Sequence, residues 1–295
     1  MHAPLSHHKP YFKQIQAYIA RLPSLSTTAA KVLETCNNPQ SAPNDLNRVI
    51  SLDPVLAGQV LRLTNSAYYS LRHPVSSLTR AIIMLGINTV KNLVLSFAIL
   101  EGLSSRQSFC ALSAEKFWAH SLAVGVIAKL LAKTKGVSLN EQEEFFVCGL
   151  LHDLGKIPLN HRFADEYFQA LDMAKRSHWP VAHAESVVFG IDHGTIGSMI
   201  ADKWRLSPEF IAALGCHHRP DESLPQHQQR VLIIALADIF AQLLDIRSCE
   251  VASGGSAFTE YLLKRVGVDW STLHDMRDTV LAEIDRAKIF LEIGK

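Results

Sequence analysis

Gly149-Leu150-Leu151-His152-Asp153-Leu154-Gly155-Lys156 sets an imidazole beside a carboxylate at the end of an apolar run. Neighbours i and i+1 on a helix project about 100° apart, so the two side chains can meet at one point only where that point lies deep between helices. A metal ion fits such a place. Neutral imidazole nitrogen and carboxylate oxygen are the ligand types that suit divalent Zn, Mn, Fe or Ni.

Five further residues of ligand type fall inside apolar helical patterns. His120 shares a helix face with Phe117, Val124, Ile127 and Leu131, so it points inward. Taken alone it reads as a core histidine bonded to a backbone carbonyl. His193, behind Asp192 as N-cap, lies on a face with Ile196, Gly197, Ile200 and Trp204. A helix opened by Pro208 carries Phe210, Leu214 and the pair His217-His218, which at a helix end could also be surface residues stabilising the dipole. Asp238 is the one charge in Val231 to Phe240, where an ionised carboxylate costs several kcal/mol unless paired or coordinated. With His152 and Asp153 these make seven candidate ligands, and a metal held by four helices would offset the burial of Asp238.

The surroundings are helical throughout. Tyr11 to Leu22, Ala29 to Thr35 behind Ser26-Thr27-Thr28, Val55 to Asn65 behind Asp53-Pro54, and Ile87 to Leu100 all carry helical spacing with caps or breakers at their ends. Glu141, Glu143 and Glu144 sit early in the helix that leads to Gly149 and read as favouring its positive dipole end. Gly149 permits close helix approach, and Gly155 reads as a C-terminal stop. His161, His178 and His183 read as surface or capping residues. The expected organisation is a flexible tail over 1–13, an N-terminal helical part over 14–105, a metal-site helical part over 106–250 and C-terminal helices over 251–295. The polar break Ser104-Ser105-Arg106-Gln107-Ser108 and the loop Ala252-Ser253-Gly254-Gly255-Ser256 mark the joints.

Composition limits what else the chain can be. Its 295 residues, 48% hydrophobic and 19% charged, can bury one large core or two smaller ones. A net charge of +1 supplies no basic field to draw in nucleic acid or an anionic membrane. Arg48, Arg62, Arg72, Arg80 and Lys91 scatter around their helices as solvated faces rather than forming a nucleic-acid surface. There is no apolar h-region in the first twenty residues and no apolar run of about 18 residues, so the chain is expected in the cytoplasm. Five cysteines without C-x-x-C spacing are expected to be buried thiols. No P-loop, dinucleotide glycine motif or Gly-x-Ser-x-Gly elbow occurs.

The order His120, His152-Asp153, Asp238 resembles the HD superfamily of metal-dependent phosphohydrolases, in which extra histidines between these positions accompany a second metal. The set Leu22-Pro23, Asp53-Pro54, Leu63-Thr64-Asn65-Ser66-Ala67, Ala81-Ile82-Ile83-Met84-Leu85-Gly86 and Phe189-Gly190-Ile191-Asp192-His193 narrows this. It resembles the HDOD domain, an HD-related output domain of bacterial signalling proteins, over roughly residues 15 to 215. The resemblance implies an all-α, multi-helix HD/HDOD fold and one or two divalent transition-metal ions held by His120, His152, Asp153, His193, His217 and Asp238. It implies contact of Lys156 with a substrate phosphate, although Lys156 also reads as a solvated last-turn cation. His218 is paired with Lys156 as a candidate for offsetting charge on the ester. Expected ligands are a nucleotide or cyclic-nucleotide phosphoester. After His217-His218 the chain reads Arg219-Pro220-Asp221-Glu222-Ser223, without the Gly-Tyr-Pro loop of the cyclic di-GMP subclass. A non-catalytic signalling module with a protein partner is the competing expectation.

Overall fold

In the computed structural model, which describes residues 9–38, 40–104, 109–248 and 256–293, every regular element is a helix. The first set is α1 (Lys9–Arg21), α2 (Thr27–Asn37), α3 (Pro43–Ile50), α4 (Pro54–Thr64), α5 (Leu78–Leu85) and α6 (Ile87–Ser104). The second is α7 (Ala114–Thr134), α8 (Leu139–Leu151), α9 (Lys156–Arg162), α10 (Ala164–Ser177), α11 (Val181–Phe189), α12 (His193–Lys203), α13 (Pro208–Cys216) and α14 (Gln228–Leu243). The last is α15 (Ser256–Val266), α16 (Trp270–Ala287) and α17 (Ile289–Ile293).

The helix starts follow side-chain chemistry. Ser26, Asp53 and Asp192 each accept a backbone N–H three residues on, which satisfies one of the amides a helix N-terminus leaves unpaired. Because α1 begins at Lys9, residues 9–13 are helical rather than part of a loose tail. Residues 1–8 of that tail, 105–108 of the polar break and 252–255 of the second joint lie outside the described residues.

A long apolar pair, α7 and α8, forms the spine of the molecule. Gly149 decides their spacing: a Cβ there would meet Cα of Gly125 at 2.7 Å, so only glycine lets the backbones approach this closely. The crossing brings mid-α7, with His120, against the end of α8, with His152. Helix α14 packs on both, α13 packs on α8 and α14, and α12 links α13 to α9 and α11. One charged pair, Lys91 of α6 with Glu144, ties the first helical set to this spine, while Arg230 of α14 also meets Glu144 and Lys129 of α7 meets Glu143 within it. Glu143 and Glu144 therefore serve as tertiary ion-pair partners rather than dipole complements. The C-terminal helices return along α14 and α7, and Phe290 of α17 enters a ring cluster with Tyr68, Phe97 and Phe146.

No single described helix is long and apolar enough to cross a membrane; α5 with most of α6 is apolar enough as a pair but bends by 112°. Only Cys148 is fully buried among the described cysteines. Cys36 and Cys216 are partly exposed and Cys110 is exposed, which departs from the expectation of buried thiols.

Candidate metal centre

Each of the seven side chains arrives at one place by its own local logic. His120 comes from the middle of α7 and Asp238 from the middle of α14. His152 and Asp153 lie in the turn after α8, His193 opens α12, and His217 and His218 follow α13. They form two groups with ligand atoms mutually within 4.8 Å: His120, His152 and Asp238, and Asp153, His193, His217 and His218. Six of the seven are no more than 4% exposed, and His218 alone is partly accessible.

Asp153 stands between the groups. Its Oδ2 faces Nε2 of His152 at 3.4 Å and Nε2 of His120 at 3.8 Å, while its Oδ1 faces Nε2 of His193 at 3.1 Å. Asp238 Oδ1 lies 3.1 Å from His120 Nε2 and 3.9 Å from His152 Nε2. Across the other group, Nε2 of His218 and Nε2 of His193 are 2.9 Å apart.

The far nitrogen of each buried ring is committed. Nδ1 of His120 meets the carbonyl of Ile246 at 2.8 Å, that of His152 the carbonyl of Gly149 at 2.7 Å, and that of His217 the carbonyl of Leu214 at 2.8 Å. Nδ1 of His193 meets Glu185 Oε2 at 2.6 Å. A carbonyl only accepts, so Nδ1 carries the proton and Nε2 presents a lone pair inward, the tautomer that metal-ligating histidines adopt through such partners. Nε2 of His152 and of His217 are buried with no hydrogen-bond partner. Buried polar atoms are rarely left so. Two orphaned lone pairs, that of His152 grouped with Asp238 and that of His217 with Asp153 within 4.8 Å, fit a divalent cation.

Charge balance gives the same result. Burial should raise the pKa of Asp153 and Asp238, yet neighbouring imidazoles, and Lys156 beside Asp153, hold both well below the usual carboxylate range. Burial keeps His152 and His218 neutral and lowers His217 to about 3, with adjacent histidines adding to the effect. Burial also opposes charge on His193, but the Glu185 carboxylate reverses this and raises it to about 9. His120 is raised too: burial is the largest single influence and opposes charge, but the hydrogen bond to Asp238 together with the charges of Asp238 and Asp153 outweighs it. Lys156 offsets one of the two ionised carboxylates, and protons on His120 and His193 or a bound cation can supply further positive charge.

Lys156 is buried rather than solvated, 5% exposed, with Nζ 2.7 Å from Asp153 Oδ2 and 3.4 Å from Ser248 Oγ. Gly155 is not a helix stop of the left-handed kind. Its φ is −67°, and a Cβ there would collide with the carbonyl of His193 and meet the amide of Gly197 at 2.7 Å. Its role is to let the His-Asp turn press against α12.

The sequence reading missed Glu185. It is fully buried, and its Oε2 accepts both the backbone N–H of His193 at 2.8 Å and the ring Nδ1–H. The signal was present: Glu185 is the one acid in Val181 to Phe189, four residues from each, on the same buried face. Gln242, whose Nε2 donates to Asp238 Oδ1 at 2.8 Å, was likewise not singled out.

A protein-family model described as the HDOD domain matches residues 22–220. An HDOD domain protein of Geobacter sulfurreducens with unknown function superposes with a TM-score of 0.75 at 25% identity, covering 97% of this chain and 98% of that one. A candidate phosphohydrolase of Shewanella amazonensis SB2B superposes at 0.71 with 22% identity, covering 96% and 99%. An uncharacterized protein of Treponema pallidum (strain Nichols) is 22% identical over 224 residues, 76% of this chain, and the chain spans 43% of that relative's length.

Proposed function

The chain belongs to the HDOD domain family, and we propose that it is a metal-dependent phosphohydrolase that holds two divalent transition-metal ions and acts on a nucleotide or cyclic-nucleotide phosphoester. One observation carries this: the two oxygens of Asp153 face two separate histidine groups. His120, His152 and Asp238 with one Asp153 oxygen would hold an inner ion, and His193, His217 and His218 with the other would hold an outer one. When bound, such a pair supplies Lewis-acid polarisation of a phosphoryl oxygen and lowers the pKa of water toward neutrality.

The chain's own groups have distinct tasks. Gly149, Leu214 and Ile246 fix three imidazole tautomers through their carbonyls, and Glu185 fixes the fourth. Lys156, held by Asp153 and Ser248, is the residue that offsets charge beside the shared carboxylate. His218 stays neutral, so it is assigned as a ligand at the accessible edge rather than as a charge-offsetting cation. The closed apolar helices around the cluster exclude bulk water, which strengthens every charge interaction within it.

The near-complete burial of the ligands also favours a second reading, a non-catalytic signalling module with a structural metal, since a catalytic ion keeps an open position. The purified protein, loaded with Mn(II) or Fe(II) and incubated with a panel of nucleotide and cyclic-nucleotide phosphoesters, separates the two. Metal-dependent release of phosphate or opening of a cyclic ester, absent in Asp153→Asn, supports the enzyme. Two retained ions with no hydrolysis across the panel support the signalling module.

A further inference from the structure

The outer ligand group closes across a seam: His193 is at the start of α12, and His217 and His218 follow the end of α13. Arg219, the next residue, bridges that seam. Its Nη1 donates to Asp192 Oδ2, its Nε donates to Glu222 Oε2 at 3.0 Å, and its Nη2 lies 3.5 Å from Thr195 Oγ1. Asp192 is only 3% exposed and directly precedes His193. Its Oδ1 accepts the N–H of Thr195 at 2.8 Å, so one carboxylate caps α12 and anchors the guanidinium. Each end of this ion pair is therefore one residue from an outer ligand, His193 at one end and His218 at the other. The Lys156–Asp153 pair sits on the carboxylate that both groups share, and the supports of the inner group's own residues are neutral: the carbonyls of Gly149 and Ile246 and the amide of Gln242.

We propose that the Asp192–Arg219 pair is a latch for the outer metal position. Both are positioning residues that hold His193 and His218 at the separation a second cation requires, while the inner position forms without them. This rests on the two-ion reading above. An exposed pair would contribute little, but here the carboxylate is buried and the guanidinium forks between two carboxylates, the geometry for which arginine is suited and lysine is not. The loop beyond Arg219 has its own anchor, since Asp221 accepts from Tyr261 at 2.5 Å and from Arg265 at 2.9 Å. Loss of the latch therefore leaves the chain folded.

Wild type, Arg219→Gln and Asp192→Asn are stripped with chelator, reloaded with Mn(II) and dialysed; manganese per chain is measured by elemental analysis and its coupling by electron paramagnetic resonance. Asparagine retains the helix cap while removing the charge. Wild type is expected to hold two ions with a spin-coupled spectrum. Each variant is expected to hold one ion with the hyperfine pattern of isolated Mn(II), and to bind a second about 10- to 100-fold more weakly, the cost typical of losing an outer-shell partner. Variants that keep two coupled ions overturn the latch, and so do variants that lose both while their far-UV circular dichroism is unchanged. A variant whose circular dichroism shows an unfolded chain contradicts the independence of the fold and overturns it as well. Wild type holding fewer than two ions is the separate result that removes the two-ion reading beneath it.

Discussion

The inner and outer halves of the cluster use the same ligand chemistry but different supports. His120, His152 and Asp238 lie in the spine of α7, α8 and α14, and neutral backbone carbonyls and one amide orient them. Among the outer ligands, His193 leans on the fully buried Glu185 carboxylate, beside the Asp192–Arg219 pair at the partly accessible edge. A neutral support fixes orientation without adding charge, whereas a carboxylate behind an imidazole also raises its basicity. Apart from the Lys156 ammonium on the shared Asp153, the inner residues are oriented by neutral groups, whereas on the outer side His217 rests on the Leu214 carbonyl but His193 on a carboxylate.

The largest effect should come from the residue both halves share. Asp153→Asn removes the shared negative charge and one of the two oxygens, leaving a single neutral carbonyl, and takes the carboxylate from the buried Lys156 ammonium, so it should abolish binding of at least one ion and weaken the other. It should also destabilise the metal-free protein by about 3–5 kcal/mol in urea unfolding, the cost of breaking a buried pair. Retention of either ion at wild-type affinity would break the comparison at its centre.

Two glycines separate the halves next. Gly149→Ala forces the α7–α8 crossing apart and should weaken the inner ion, while Gly155→Ala pushes the His-Asp turn from α12 and should weaken the outer one. Each overpacking should cost about 1–3 kcal/mol of stability. Stepwise metal titration with calorimetry reads both, and a swapped pattern would contradict the assignment. Glu185→Gln is a smaller and more selective change: the outer ion should bind about 10- to 100-fold more weakly and the inner one unchanged.

Acidity gives a graded contrast in the metal-free protein. His217 is held at about 3 against its ordinary 6.5, so the unfolded chain takes up this proton first and stability falls as the pH drops from 6.5 toward 3. His193, raised to about 9, acts in the opposite direction: its stabilisation is full below 6.5 and is lost as the pH rises through about 9. Denaturant midpoints of chelated protein should decline on both flanks. In Glu185→Gln the alkaline decline should shrink, while an unchanged alkaline flank would show that Glu185 does not govern His193.

Much of the inner half was legible from sequence because its residues are anomalies in apolar surroundings. Asp238 is the lone charge in the run Val231 to Phe240, and adjacent His152 and Asp153 can converge only in a core. The outer half was less legible. Glu185 acts eight residues before His193, across the turn at Gly190, a distance that helical periodicity does not span. Gly155 has ordinary helical φ, so its necessity lies in a contact with α12 that no local pattern records. The burial of Lys156 depends on Ser248, ninety-two residues away. Capping chemistry, by contrast, is local, and Ser26, Asp53 and Asp192 cap the helices their sequences announce.

Anomalous diffraction at the absorption edge of the bound metal, from crystals of the loaded protein, tests the two-site assignment most directly. Two peaks on either side of Asp153 are predicted, one among His120, His152 and Asp238 and the other among His193, His217 and His218. A single peak, or none within coordination distance of Asp153, would contradict it.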